Sequence, residues 1–149
     1  MGYELIEVAA PDDWTAYHAI RKAELFDRRH PPIGYDFDHP DDGMPQHHNY
    51  LLKLDGRPIG VTRLDLRPES VAIFRLVAIT APMQGQGHGR VLSEMVEAKA
   101  KAFGCTTLWV NAAKTAVGYY YKTGWSEHEW DAEERIGIAI ECTQMRKQL

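Results

Sequence analysis

Gln84-Gly85-Gln86-Gly87-His88-Gly89-Arg90 separates the most apolar run of the chain, Val71 to Thr80 (VAIFRLVAIT), from a stretch with helical spacing, Arg90 to Phe103. The order reads as buried strand, glycine turn, helix start. Glycines let the backbone adopt conformations closed to other residues and let a ligand come close to the N–H groups. A helix N-terminus aims unpaired N–H donors and a partial positive charge at whatever lies before it. Together these features predict a pyrophosphate site. On spacing alone a connecting turn without a ligand is the competing reading, since short glycine motifs recur by chance. The nucleotide signatures fail. No Gly-Lys is followed by Ser or Thr, and Gly-x-Gly-x-x-Gly ends on Arg90 or Leu92 rather than glycine.

Outward from this motif, the helix from Arg90 has the apolar set Val91, Leu92, Met95, Val96, Ala102 and Phe103, and Gly104 ends it. Upstream, Tyr50–Leu54 and Pro58–Leu66 form two strands around the turn signal Asp55-Gly56. Downstream, Thr106–Asn111 is a strand and Lys114–Lys122 a helix closed by Gly124, with two more strands to finish. At the start, Tyr3–Val8 is a strand. Pro11-Asp12-Asp13 opens a helix carrying Trp14, Tyr17, Ile20 and Phe26, which Pro31-Pro32 stops. The polar segment from His30 to Asn49 is a long loop with room for a helical turn, and long loops in compact domains are often functional. Strands and helices mix without clean alternation, so the expected class is α/β (α+β) with a mixed sheet.

The 149 residues are the common size for one domain, and 44% apolar with 26% charged composition describes a globular chain rather than a disordered one. Lys and Arg total 17 against 21 Asp and Glu; this net charge of −4 argues against a general grip on nucleic acid. Two cysteines, Cys105 and Cys142, are too few for a disulfide framework and predict reduced thiols. Met1 to Ala10 has no apolar signal stretch, Ile6 breaks the myristoylation pattern, and no run reaches transmembrane length. The expectation is a single domain over residues 1–149, cytoplasmic, with no membrane and no nucleic-acid partner. His30, His39, His47 and His48 match no zinc spacing, so no metal is expected.

Gln84-x-x-Gly87-x-Gly89 after a strand resembles the acyl-CoA signature of the GNAT N-acetyltransferase family. Leu76-Val77-Ala78-Ile79 resembles that family's strand beside the pantetheine. A second block, Leu108-Trp109-Val110-Asn111-Ala112 through Tyr119-Tyr120-Tyr121-Lys122-Thr123-Gly124-Trp125, is similar to its later strand–helix unit. The match runs from about Val71 to Trp125, with weaker echoes at Gly60, Arg63 and Asp65. The resemblance implies a mostly antiparallel mixed central sheet flanked by helices, with a cofactor cleft beside the central strand. It implies acetyl-CoA as cosubstrate, held by Val77, Ala78 and Ile79 along the pantetheine and by N–H groups of Gly85, Gln86, Gly87, His88, Gly89 and Arg90 at the pyrophosphate, with Gln84 as a further cofactor-binding residue. Asn111 either contacts the cofactor or satisfies backbone groups at a strand end. The implied acceptor is a primary amine of a small molecule or peptide, and a homodimer is an allowed assembly.

The reaction sets its own demands. An amine of pKa about 10 must lose a proton before it attacks a thioester. The developing oxyanion needs preorganised donors, for which an N–H near Val77 to Ile79 would serve. The leaving thiolate needs a proton, and the resemblance gives that role to Tyr120, with core packing as its alternative. The base is open among Asp65, Glu24, His47 and His48, because Thr80 stands where several relatives carry an acid. The loop carboxylates Asp36, Asp38, Asp41 and Asp42 suggest either a cationic acceptor drawn in by their field or a solvated surface. A non-catalytic acyl-CoA-binding or sensor module of the same fold is the alternative to the enzyme.

Overall fold

A computed structural model describes residues 2–149. Seven strands form one sheet in the order β1-β2-β3-β4-β5-β7-β6. They are β1 (Tyr3–Glu7), β2 (His47–Leu54), β3 (Arg57–Arg67), β4 (Val71–Ile79), β5 (Thr107–Ala112), β6 (Ser126–Glu127) and β7 (Thr143–Gln148). All pairs are antiparallel except β4 with β5. The apolar run expected at the centre is the fourth of the seven strands. This is the mixed, mostly antiparallel sheet that the resemblance implied.

Helices cover both faces. On one, α1 (Pro11–Arg21) lays Tyr17 and Ile20 over Val8, Leu51, Val61 and Ala78. Pro11 at the first turn has no N–H to lose there, and Asp12 and Asp13 complement the helix dipole. On the other face, α2 (His88–Ala102) buries Leu92, Val96 and Ala100 against Leu64, Phe74, Leu108 and Val110, joined by Tyr120 of α3 (Val117–Lys122). Leu92, Val96 and Ala100 are four apart and so share one helix face.

Several boundaries differ from expectation. The first helix does not run regularly to the prolines; it passes at Lys22 into a π-helical turn, Lys22–Phe26. The second helix starts at His88, and its buried stripe takes in His88 and Ala100 where Ala102 and Phe103 were expected. Phe103 lies beyond the last turn, 46% exposed, with its ring against His48 at 4.5 Å between centroids. The long loop ends at Gln46, because His47 and His48 already pair with Asp65 and Leu64 on β3. As neighbours on a strand, the two histidines point to opposite faces. The helix expected from Lys114 begins as a 3-10 turn, Lys114–Ala116. No helix among the described residues is long and apolar enough to cross a membrane.

Candidate functional site

Pairing between β4 and β5 stops at Phe74 with Val110, while β3 continues along β4 to Ile79. The edge of β4 from Leu76 to Ile79 is therefore left without a strand partner on the β5 side. Leu76 has φ +52°, and the β3–β4 register slips between Val61 and Arg63. A non-glycine residue in this region costs about 1–2 kcal/mol, and such strain is concentrated at functional sites. The resulting bulge opens a cleft of about 990 Å³, whose walls include Leu76 to Ile79, Gln84, Gly89, Asn111, Tyr119 and Tyr120.

The glycine loop meets that cleft at Gln84 and Gly89, which line it. Gly85 and Gly87 have φ +73° and +88°, and a Cβ added at either would meet nothing within 4 Å. Gly87 in this left-handed conformation is the N-cap of α2. Among the described residues, no N–H from Gly85 to Arg90 is bonded to a backbone carbonyl in loop, turn or cap. These donors, open space and the N-terminus of a 15-residue helix fit an anionic group such as a pyrophosphate.

The loop's side chains face elsewhere. Gln84 Nε2 donates to the Ile79 carbonyl at 2.7 Å and to Glu24 Oε1 at 3.1 Å, and its own N–H is bonded to Ala81. Gln86 donates to the Pro82 carbonyl, and Arg90 to Glu94. His88 meets the Tyr3 hydroxyl at 2.6 Å, away from the loop. Gln84 therefore clamps the entry to the loop. Glu24 completes the clamp: its carboxylate, 7% exposed, also accepts the Ala81 N–H at 3.0 Å and lies 3.2 Å from Arg28. The π turn in the first helix is the element that presents Glu24 here.

Tyr120 lies in the wall of the cleft, 7% exposed, its ring edge-on to Trp125 at 5.2 Å. Burial, with smaller contributions from Tyr119 and Cys142, pushes its phenol above the ordinary tyrosine range. The group keeps its proton at neutrality and can donate it. Asn111 is at the rim, but its Oδ1 already accepts from Gln144 Nε2 at 3.1 Å.

The other wing of the cleft, on the α1 face, is ionic. Arg21 donates twice to Asp42 at 2.9 Å; Arg63 reaches Asp42 at 3.2 Å and Asp65 at 2.7 Å. Arg75 continues from Asp65, 3.2 Å, to Glu134, 3.0 Å, and Arg67 ends the series on Glu134 at 3.4 Å. His47 Nε2 adds a contact to Asp65 at 3.4 Å. Of the four candidate bases, Asp65, Glu24 and His47 thus line the cleft with their polar atoms engaged. His48 lies on the opposite face with Glu7 and Phe103. Asp42 is withdrawn from the acidic cluster read as a field for cations, because two buried guanidiniums neutralise it. Asp36 and Asp41 stay at the rim and Asp38 on the exposed loop, where Asp36 accepts the Asp38 N–H. Sequence reading missed Arg21, Arg75 and Glu134. The one visible signal was at Arg75, the single charge inside the apolar run Val71–Ile79.

The model described as the acetyltransferase (GNAT) family matches residues 10–125. Solved structures share the fold. One is a Lactobacillus plantarum protein provisionally classed as an N-acetyltransferase, 24% identical with TM-score 0.78, matched over 100% of this chain and 99% of that one. PaiA N-acetyltransferase from Thermoplasma acidophilum, solved in complex with coenzyme A, is 13% identical with TM-score 0.73, over 100% of both chains. The ribosomal-protein-S18-alanine N-acetyltransferase of Escherichia coli is 16% identical with TM-score 0.71, over 98% of this chain and 93% of that one.

Proposed function

The chain belongs to the GNAT acetyltransferase family, and from that premise we propose that it is an N-acetyltransferase that moves an acetyl group from acetyl-CoA directly to a primary amine. The observation that carries this reading is the open edge of β4 running into a loop whose N–H groups from Gly85 to Arg90 have no backbone partner. Val77, Ala78 and Ile79 would receive the pantetheine arm as an added strand, and the loop donors from Gly85 onward would receive the pyrophosphate. The neighbour solved with coenzyme A supports the same cosubstrate here. Acetyl-CoA supplies an activated acyl group and a thiolate leaving group.

The rest is done by side chains and backbone of the cleft. A backbone N–H along Leu76 to Ile79 would stabilise negative charge on the acyl oxygen, and the Tyr120 hydroxyl would protonate the departing sulfur. Asp65, Glu24 and both ring nitrogens of His47 are already engaged, so the amine's proton leaves through water in the cleft. We assign the whole of residues 1–149 to one catalytic domain acting in the cytoplasm; the free thiols of Cys105 and Cys142 are consistent with that compartment.

The paired carboxylates favour one competing reading, a domain that binds acyl-CoA without turning it over. Release of free CoA thiol from acetyl-CoA, measured with polyamines, amino acids, aminoglycosides and peptide N-termini, decides between them. Amine-dependent release establishes the transferase. Tight CoA binding with no release above hydrolysis for any amine establishes the binding module instead.

A further inference from the structure

The ionic wing of the cleft has more donors than its own carboxylates use. Arg21, Asp42, Arg63, Asp65, Arg75, Glu134 and Arg67 form one alternating series. Both ends are guanidiniums, so four positive charges face three negative ones. Two buried side-chain polar atoms lack a partner among the described residues, Arg21 Nε and Tyr119 Oη, and both residues line the cleft. A buried donor without an acceptor typically costs about 1–3 kcal/mol, so both mark the lining of the cleft as short of acceptors.

Arg75 offers a spare donor that is not fully buried. Its Nε is used by Asp65 and its Nη2 by Glu134, which leaves Nη1 without a partner. That nitrogen is not among the fully buried orphans, and the side chain, 18% exposed, lines the cleft. The guanidinium carbon lies 5.9 Å from the centroid of the Trp130 ring, and the fork is tethered on two sides by carboxylates. Arg75 is also on β4, one residue before the bulge at Leu76, beside the edge assigned to the acyl donor. The spare guanidinium nitrogens of Arg21 and Arg75 can only donate, and the Tyr119 hydroxyl can donate as well as accept. A group that only accepts complements all three, and an ionised carboxylate is such a group. Phe26, Ile33, Met44 and Ile136 supply apolar surface to the same cleft.

We propose that the acceptor is an amine carrying a carboxylate, an amino acid rather than a polyamine or a long peptide, and that Arg75 selects it. This rests on the transferase reading given above. It also reverses the expectation drawn from the loop acids, since Asp42 is spent on arginines and the inner surface is left with an excess of positive charge.

The test is acetyl transfer to matched pairs: α-, β- and ω-amino acids with apolar bodies, each against its own carboxamide. The amide's amine is the less basic member for α-amino acids, so ionisation of the amine cannot produce a preference for the acid. The wild-type protein is expected to favour the acid by about tenfold or more in kcat/KM, the range of a charge-assisted hydrogen bond. Arg75→Gln is expected to erase that preference mainly by raising KM for the acid, while Arg75→Lys restores part of it. CoA affinity and the melting temperature check that each variant is folded. Equal use of acids and amides by the wild-type protein overturns the carboxylate subsite and leaves the transferase standing, whether or not any variant folds. An Arg75→Gln variant that loses both members of each pair equally overturns Arg75 as the selector. Absence of amine-dependent CoA release from every pair removes the transferase reading itself, and this inference with it.

Discussion

The two wings of the cleft are built from different materials. The wing assigned to the acyl donor is backbone: a strand edge left open by a bulge, two glycines at positive φ, and the start of α2. The wing assigned to the acceptor is side chain: Arg21 from α1, Asp42 from the following loop, Arg63 and Asp65 from β3, Arg75 from β4, Glu134 from the segment after β6. A backbone site is encoded locally, in glycine spacing and strand–helix order. An ionic network is encoded by the fold, since its members come from five separate stretches of chain. The first wing suits a ligand shared by many proteins. The second can change its acceptor by changing a few side chains.

This contrast can be broken by substitution. The largest effect is expected in the ionic wing, on stability. Asp42, 8% exposed, holds two arginines that are themselves almost fully buried. Asp42→Ala strands both, and breaking such a pair typically costs about 3–5 kcal/mol. Urea unfolding should show that loss, whereas Asp41→Ala, at the solvated rim, should fall within about 0.5 kcal/mol of the parent protein. Equal effects at the two aspartates would mean that the network is not a unit.

Next in size is Tyr120→Phe. Loss of a general acid lowers turnover by about 100-fold or more, and the affinity for acetyl-CoA should hardly move. Full turnover in the Phe variant would return Tyr120 to packing against Trp125. The wild-type pH profile sharpens the point. Because the folded phenol is held above its ordinary value, it remains an acid through neutrality. The rate should show no descending limb from Tyr120 below about pH 10, the unperturbed phenol value. A smaller effect, about tenfold, is expected in CoA affinity for Gly87→Leu. At φ +88° a side chain costs about 1–2 kcal/mol in backbone strain, and it also occupies space that is open beside the loop. Calorimetry of CoA binding checks this, and unchanged affinity would remove the loop from the site.

The difference in materials also explains what could be read from the sequence. The strand, glycine turn and helix start around Gln84 to Arg90 were legible because their cues are contiguous: an apolar strand, three spaced glycines and a helical period, while Tyr120 was singled out by the family resemblance of Tyr119 to Trp125. The sheet class and the place of β4 at its centre followed from the same cues. The bulge at Leu76 was not legible, since nothing about leucine announces positive φ. Nor was the fate of Asp42. Four nearby aspartates look equivalent in sequence, and only tertiary structure sets one of them between Arg21 and Arg63. Gln84 shows a milder version. Its place in the motif suggested a cofactor contact, while its side chain is committed to the Ile79 carbonyl and to Glu24. The π turn that presents Glu24 is invisible to a helical period.

The central claim is that acyl-CoA enters as a strand along β4 and places its pyrophosphate on the glycine loop. Amide hydrogen exchange, measured with and without CoA, tests it most directly, because each N–H reports its own hydrogen bonding. Binding should slow exchange at Leu76 to Ile79 and at Gly85 to Arg90, and leave the loop from His30 to Gln46 nearly unchanged. Protection confined to that loop, with β4 and the glycine loop exchanging as before, would contradict the account.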